Sequence, residues 1–394
     1  MDLTIPDFCL VAVVALHEAE AEDFLRQHFT PDEVVRAPSP DWPEVVSQKL
    51  ACRELVAIDA SRMSSADRTD LLRCAKKAYA RGVAIVIADR GKFGAQATRG
   101  LERLGVRTVH AVRLEDVLQV RMARERLPVD LRHEHGPFDI IGDVHGCADE
   151  LELLLARLGF RVVFEGEGAS RVAHVEAPAG RRAIFVGDFI DRGPRSPDVM
   201  RIVMALTERG AALSVPGNHD AKFLRWLYGN NVQLTHGLDR TVRQFLAEGV
   251  PFRHQVRDFL TRLPNHLWLE GGRLVVAHAG IKENMIGHNA HGVREFCLYG
   301  DTDGDKDDAG LAIRYHWAAD YSGETTVVYG HTPLAKVAWV NNTLCVDTGC
   351  CFGGALTALR WPEREAVSVP AKEAYATRGR PFGHPALRPR ESDQ

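Results

Sequence analysis

Five short polar clusters, each closing a short apolar run, constrain this chain more than any other feature of its sequence. They are Gly142-Asp-Val-His-Gly146, Gly187-Asp-Phe-Ile-Asp-Arg-Gly193, Gly217-Asn-His-Asp220, Ala277-His-Ala279 and Gly330-His-Thr332. The runs Phe138–Ile141, Ala183–Val186, Ala212–Val215, Leu274–Ala277 and Thr326–Tyr329 have the length and bounded apolar character of buried strands. A sixth run, Leu344–Val346, leads into Asp347. Between the first three runs, Glu150–Leu158 and Pro197–Glu208 read as helices, with Asp149 opening the first and Ser196 as N-cap of the second. This alternation predicts an α/β protein with a layered sheet. In such sheets ligands bind in the crevice beyond the strand ends, so residues dispersed along the chain can converge there.

Asp, His and Asn together are oxygen and nitrogen donors suited to divalent metals, and no Cys belongs to the set. One such cluster alone reads as a cap or a turn. Five in this order, each ending a buried run, read as a metal site.

The 394 residues exceed one ordinary hydrophobic core, which predicts two domains. Residues 1–130 read as a smaller α/β unit with strands at Leu10–Leu16, Leu55–Ile58, Val83–Ala88 and Val106–Val112. The charged segment Arg121–His135, interrupted by Pro128, is the expected junction, residues 131–370 form the second domain, and the Pro-, Gly- and Arg-rich residues 371–394 are expected to be a mobile tail. A net charge of −4 advertises no basic face, so extended nucleic-acid binding is not indicated. The apolar run Phe8–Leu16 is too short to span a bilayer and lacks a basic leader, and the eight Cys show no CxxC pairing. A cytoplasmic protein with reduced thiols and no membrane partner is expected.

The five clusters resemble those of the calcineurin-like metallophosphoesterases, in particular the phosphoprotein-phosphatase branch. A narrower resemblance, to the phosphatase module of bacterial polynucleotide kinase-phosphatases, is carried by Arg132–Cys147, Thr235–Leu238 and Trp339–Cys350. The family resemblance implies a four-layer α/β/β/α domain holding two divalent metals, Mn first, with Fe, Ni or Zn as alternatives. By that resemblance Asp143, His145 and Asp188 bind one metal, and Asp188, Asn218, His278 and His331 bind the other, with Asp188 as the bridge. It makes His219 the general acid, Asp191 its orienting partner and Arg192 a phosphate clamp. Asp347 is a weaker candidate for supporting the metals or phosphate.

Leu3–Pro6, Leu10-Val11 and Phe29 resemble the frame of the P-loop kinase that opens those polynucleotide enzymes, but the loop is missing. Where a Gly-rich turn ending in Lys and Ser or Thr would stand, the chain reads Ala15-Leu-His-Glu-Ala-Glu-Ala-Glu-Asp23, with Ala21 and Glu22 at the Lys and hydroxyl positions. Residues 1–130 are therefore expected to bind no ATP and to serve, if anything, self-association or a protein partner.

The activity expected from these resemblances is hydrolysis of phosphate monoesters, and of cyclic phosphodiesters, on nucleotides or nucleic-acid ends. A dinucleoside tetraphosphate hydrolase and a protein Ser/Thr phosphatase are alternatives with the same metal set, and a non-catalytic adaptor is an alternative of another class. His133, His135, His288, His291 and Cys147 read as structural. The acidic run Asp301–Asp308 fails as a calcium loop, with Lys306 and Ala312 where Gly and Glu are needed.

Overall fold

The structure, a computed structural model, describes residues 1–37, 39–89, 92–305, 313–377 and 382, and the backbone of 387–388. It divides into two compact units, one made of Met1–Pro128 with Gly287–Val293, the other of Val129–Ile286 with Arg294–Gln394.

The first unit is built on a parallel sheet in the order Val34–Val35, Val56–Asp59, Leu10–Ala15, Gly82–Ile87 and Thr108–Val112. Every residue of the central strand Leu10–Ala15 is buried, as a parallel strand covered on both faces requires. Phe24 and Leu25 of the helix Glu18–His28 join Val11, Val13 and Ile85 in one core. The segment read as a junction starts as a strand, because Arg121–Glu125 pairs through its backbone with Asp2–Pro6. His288 belongs to this unit and packs its ring 4.7 Å from that of Phe8; burial pushes it down to about 4, so the imidazole is uncharged.

The second unit has two sheets. The first runs Ala212–Ser214, Arg182–Phe185, Phe138–Ile141, Ala355–Trp361 and Asp347–Thr348, with Glu365–Pro370 also paired to Ala355–Trp361. The second runs His266–Leu269, Leu274–Ala277, Thr326–Tyr329, Thr343–Cys345 and Trp339–Val340. Phe138, Ile140 and Ile184 from one sheet and Val276, Val328 and Leu344 from the other form the dry layer between them. Each such side chain is worth about 1.5–3 kcal/mol by burial alone. The opposite face of the first sheet is covered by helices Ala148–Arg157 and Ser196–Glu208, through Leu151, Leu154, Val199 and Val203.

Ser196 is not the N-cap of its helix. Arg195 holds that place, Ser196 lies inside the first turn, and its backbone N–H donates to Gln244 Oε1 at 2.8 Å. The first turn is claimed by the preceding loop, where Arg195 N–H donates to the Gly146 carbonyl. Of the segment read as a tail, the described residues from Ala371 to Thr377 include two that hydrogen-bond buried Glu150, through the Lys372 N–H and the Tyr375 hydroxyl. The rest of that tail, apart from Phe382 and the backbone of 387–388, lies outside the described residues, as do residues 306–308 of the acidic run. No helix among the described residues is long and apolar enough to cross a membrane.

Candidate metal centre

Six strand ends meet at one place. Phe138–Ile141, Arg182–Phe185 and Ala212–Ser214 are parallel neighbours in the first sheet, and Leu274–Ala277, Thr326–Tyr329 and Thr343–Cys345 are parallel neighbours in the second. Their C-terminal ends deliver Asp143, Asp188, Asn218, His278, His331 and Asp347 within one to four residues. The two sheets are tied there by the His331 N–H, which donates to Asp143 Oδ2 at 3.0 Å. Gly217 and Gly330 are required by space: a Cβ at Gly217 would overlap the Asp188 carboxylate, and one at Gly330 the Asp143 carboxylate.

The backbone carries strain at this point. His145, Asp188, Asp191, Arg192 and His331 have φ of 48°, 50°, 74°, 66° and 71°, a region that costs about 1–3 kcal/mol per non-glycine residue. Hydrogen bonds between the two strained loops hold them: His145 N–H to the Asp188 carbonyl, Gly146 N–H to the Phe189 carbonyl and Gly193 N–H to the His145 carbonyl, each 2.8 Å.

Side chains are oriented just as firmly. His145 Nδ1 lies 2.9 Å from the Ile190 carbonyl and His278 Nδ1 3.0 Å from the Val186 carbonyl. Each Nδ1 therefore carries the hydrogen, and each Nε2 turns a lone pair inward, the arrangement that metal-binding imidazoles use. His278 Nε2 lies 3.0 Å from Asn218 Oδ1, 3.0 Å from His331 Nδ1 and 3.6 Å from Asp188 Oδ1. His145 Nε2 lies 3.4 Å from Asp188 Oδ2, so the Asp188 carboxylate faces an imidazole on each side.

This donor set fits divalent cations. The donors of Asp188, His278 and His331, and those of His145, Asp188 and His219, lie within 4.8 Å of one another. Asp143 Oδ1 and His331 Nε2 are buried with no hydrogen-bond partner among the described residues. Burial and then repulsion from Asp347 and Asp188 push the Asp143 carboxyl well up, the strain that a bound cation relieves. Burial, and after it the Arg192 charge for His145 and the Arg314 charge for His331, hold both imidazoles well below their usual range. Neutral imidazoles are what a metal needs.

His219 differs from the other imidazoles. Its Nδ1 donates to Asp191 Oδ2 at 2.6 Å, and its Nε2 is 4.0 Å from Asp188 Oδ2. Arg192 sits between two rings, with Nη1 against His145 Nε2 and Nη2 donating to His219 Nε2 at 3.0 Å, and its guanidinium lies over Phe352. Asp347 is buried and accepts the Gly349 N–H at 2.9 Å.

Two residues outside the five clusters, Thr241 and Arg314, and one inside them, Asp220, support the site. Thr241 donates its hydroxyl to Asp191 Oδ1 at 2.6 Å and accepts the Asp191 N–H at 3.0 Å, so it locks the partner of His219 from a helix fifty residues away. Asp220 accepts the N–H groups of Phe189 and Gly217 and joins two motif loops. Arg314, whose pKa burial lowers, interacts with Asp188, Asp347 and Asp143 and supplies a second cation at the site. No motif flags it; only its place before Tyr315-His-Trp317 distinguishes it.

The family model for the calcineurin-like phosphoesterases matches residues 136–364. The asymmetrical bis(5'-nucleosyl)-tetraphosphatase PrpE of Anoxybacillus flavithermus is 44% identical over 250 residues, 62% of this chain and 99% of that one. Its namesakes in Geobacillus thermodenitrificans and Bacillus subtilis are 45% and 43% identical, over 59% and 60% of this chain and 94% and 96% of theirs. These relatives carry the name of a tetraphosphatase, not that of a polynucleotide kinase-phosphatase, so the narrower resemblance is not the one they support. Fold, donor cluster and family match lead to one assignment: the chain belongs to the calcineurin-like phosphoesterases and is a hydrolase of phosphoester bonds.

Proposed function

We propose that the chain hydrolyses dinucleoside tetraphosphates asymmetrically, giving a nucleoside triphosphate and a monophosphate. The observation that carries this reading is the match between the phosphoesterase unit and nearly the whole length of relatives named for that activity. Asp143, His145 and Asp188 would hold one divalent metal, and Asp188, Asn218, His278 and His331 the second, with Mn the first choice. Such a pair neutralises phosphoryl oxygens and makes a nearby water a better nucleophile. Asp191 keeps His219 turned toward the cluster, where its Nε2, once protonated and parted from Arg192, can hand a proton to the departing bridging oxygen. Arg192 and Arg314 hold phosphate oxygens from two sides, and Asp347 adds to the negative field that retains cations.

Hydrolysis of nucleic-acid ends, which the polynucleotide-enzyme resemblance implies, uses the same groups on another substrate, and the two readings separate by turnover. A panel of a dinucleoside tetraphosphate, a nucleoside 2′,3′-cyclic phosphate, a 3′-phosphorylated oligonucleotide and a phosphopeptide, assayed with Mn, should show the highest kcat/KM on the first. A higher value on the oligonucleotide or the phosphopeptide would overturn the proposal.

A further inference from the structure

The donor cluster is flanked by two clefts of opposite character within the second unit. On the His331 side a cavity of about 260 Å³ is walled by Tyr315, His316, Leu334, Ala338 and Val340 and reaches Arg314. Trp317, packed edge-on to Phe296 with ring centroids 6.1 Å apart, gives it a rigid aromatic back wall. On the Asn218 side a wider groove is lined by Lys222, Arg225 and Arg294, with Glu295 the one acid among its lining residues. Tyr299 borders both clefts, so they adjoin there.

A slot walled mainly by aromatic and aliphatic side chains suits a planar, apolar-faced ligand, and a groove with three cations suits a chain of phosphates. His331 belongs both to the slot wall and to the donor cluster. A nucleoside seated in the slot therefore brings its own 5′-phosphate, and not a more distant one, to the cluster. We propose that the Tyr315–Ala338 slot holds one nucleobase of the substrate while the remaining three phosphates run into the Lys222–Arg225–Arg294 groove, which fixes the cleaved bond as the one next to the slot nucleotide. The water oxygen bonds to that phosphorus, the bond from phosphorus to the bridging oxygen breaks, and the bridging oxygen leaves on the triphosphate after taking up a proton. The inference rests on the dinucleoside tetraphosphate reading.

Ala338 is exposed, so Ala338→Trp fills the slot without disturbing the core, and Arg225→Glu reverses a charge in the groove at an exposed position. Kinetics on a dinucleoside tetraphosphate and on p-nitrophenyl phosphate, which carries neither a nucleobase nor a chain of phosphates, separate the possibilities. Ala338→Trp should raise KM for the tetraphosphate about tenfold or more and weaken calorimetric binding of the nucleoside monophosphate to a similar extent. Arg225→Glu should raise KM for the tetraphosphate but leave monophosphate binding alone, and neither change should alter turnover of the nitrophenyl ester. In water enriched in ¹⁸O, the label should appear in the monophosphate. Label in the triphosphate, or unchanged KM and binding in Ala338→Trp, overturns the slot assignment while leaving the activity in place. Wild-type protein that hydrolyses the nitrophenyl ester but not the tetraphosphate overturns the underlying activity instead.

Discussion

The two units of this chain solve the same structural problem and end differently. Each centres on parallel strands with a fully buried member, Leu10–Ala15 beside Gly82–Ile87 in the first unit and Phe138–Ile141 beside Arg182–Phe185 in the second. In the second unit the strand ends collect carboxylates, imidazoles and arginines on a backbone strained at five non-glycine positions. In the first unit the end of the central strand meets Ser61, whose hydroxyl accepts the Ala15 N–H at 3.0 Å. A parallel α/β frame thus confers no chemistry; the residues at its strand ends do.

The sharpest way to break this contrast is to remove the residue that both halves of the cluster share. Asp188→Ala should lower phosphoesterase activity by about 10³-fold or more, since the metals supply several kcal/mol of transition-state stabilisation. Metal analysis of the purified variant should show the stoichiometry reduced. Retained activity after chelation would remove the metal centre from the account.

Next comes His219, where the expected loss depends on the leaving group. General-acid assistance is worth about 10²–10⁴-fold for a poor leaving group and little for an activated one. His219→Ala should accordingly slow an alkyl phosphate far more than p-nitrophenyl phosphate, with bound metal unchanged. Equal losses on both substrates would show that the ring acts in some other way.

A smaller effect is expected at Thr241, which touches no candidate ligand. Thr241→Val removes a donor to Asp191 Oδ1 and the acceptor of the Asp191 N–H, a loss of about 1–3 kcal/mol for a buried group left unsatisfied. The loss should appear in kcat, by roughly tenfold, with KM for the substrate nearly constant. Thr241→Ser should restore the rate. A variant that is merely less stable, with kcat intact below its unfolding temperature, would remove Thr241 from the positioning of His219.

What the sequence made legible follows from range. A strand such as Phe138–Ile141, buried on both faces, leaves an apolar run followed at once by its polar cluster, and both are local signals. Ala355–Trp361 alternates with small and polar residues, and its pairing with Phe138–Ile141 spans more than two hundred positions, so no local signal marks it. The same reason hides Thr241 and Arg314, whose contacts with the site are made only once the chain is folded. Ser196 misleads for a different cause: its neighbour Pro197 looks like the first helical residue, while the Gly146 loop fixes the start one residue earlier.

The least disruptive test concerns the first unit and expects no signal at all. A helix N-terminus after a parallel strand offers free N–H groups and a positive dipole end, which is where a phosphate binds when a glycine-rich turn aims the amides at it. Here the helix Glu18–His28 opens with acids: Glu20 Oε2 accepts the His17 N–H at 3.3 Å, and Glu18 pairs with Arg62 at 2.9 Å. These carboxylates satisfy the same dipole that a phosphate would use, and a triphosphate would have to displace them against like-charge repulsion. Ser61 accepts the Ala15 N–H, and Asp59 accepts the Ser61 N–H at 2.8 Å, so both are drawn into the loop's own hydrogen bonds. Photolabelling of the chain with azido-ATP and magnesium, followed by peptide mapping, should therefore yield no labelled peptide between Leu10 and His28, even where the phosphoesterase unit is labelled. A labelled peptide there would show that the loop after the central strand takes a nucleotide, and would end the contrast between the two units.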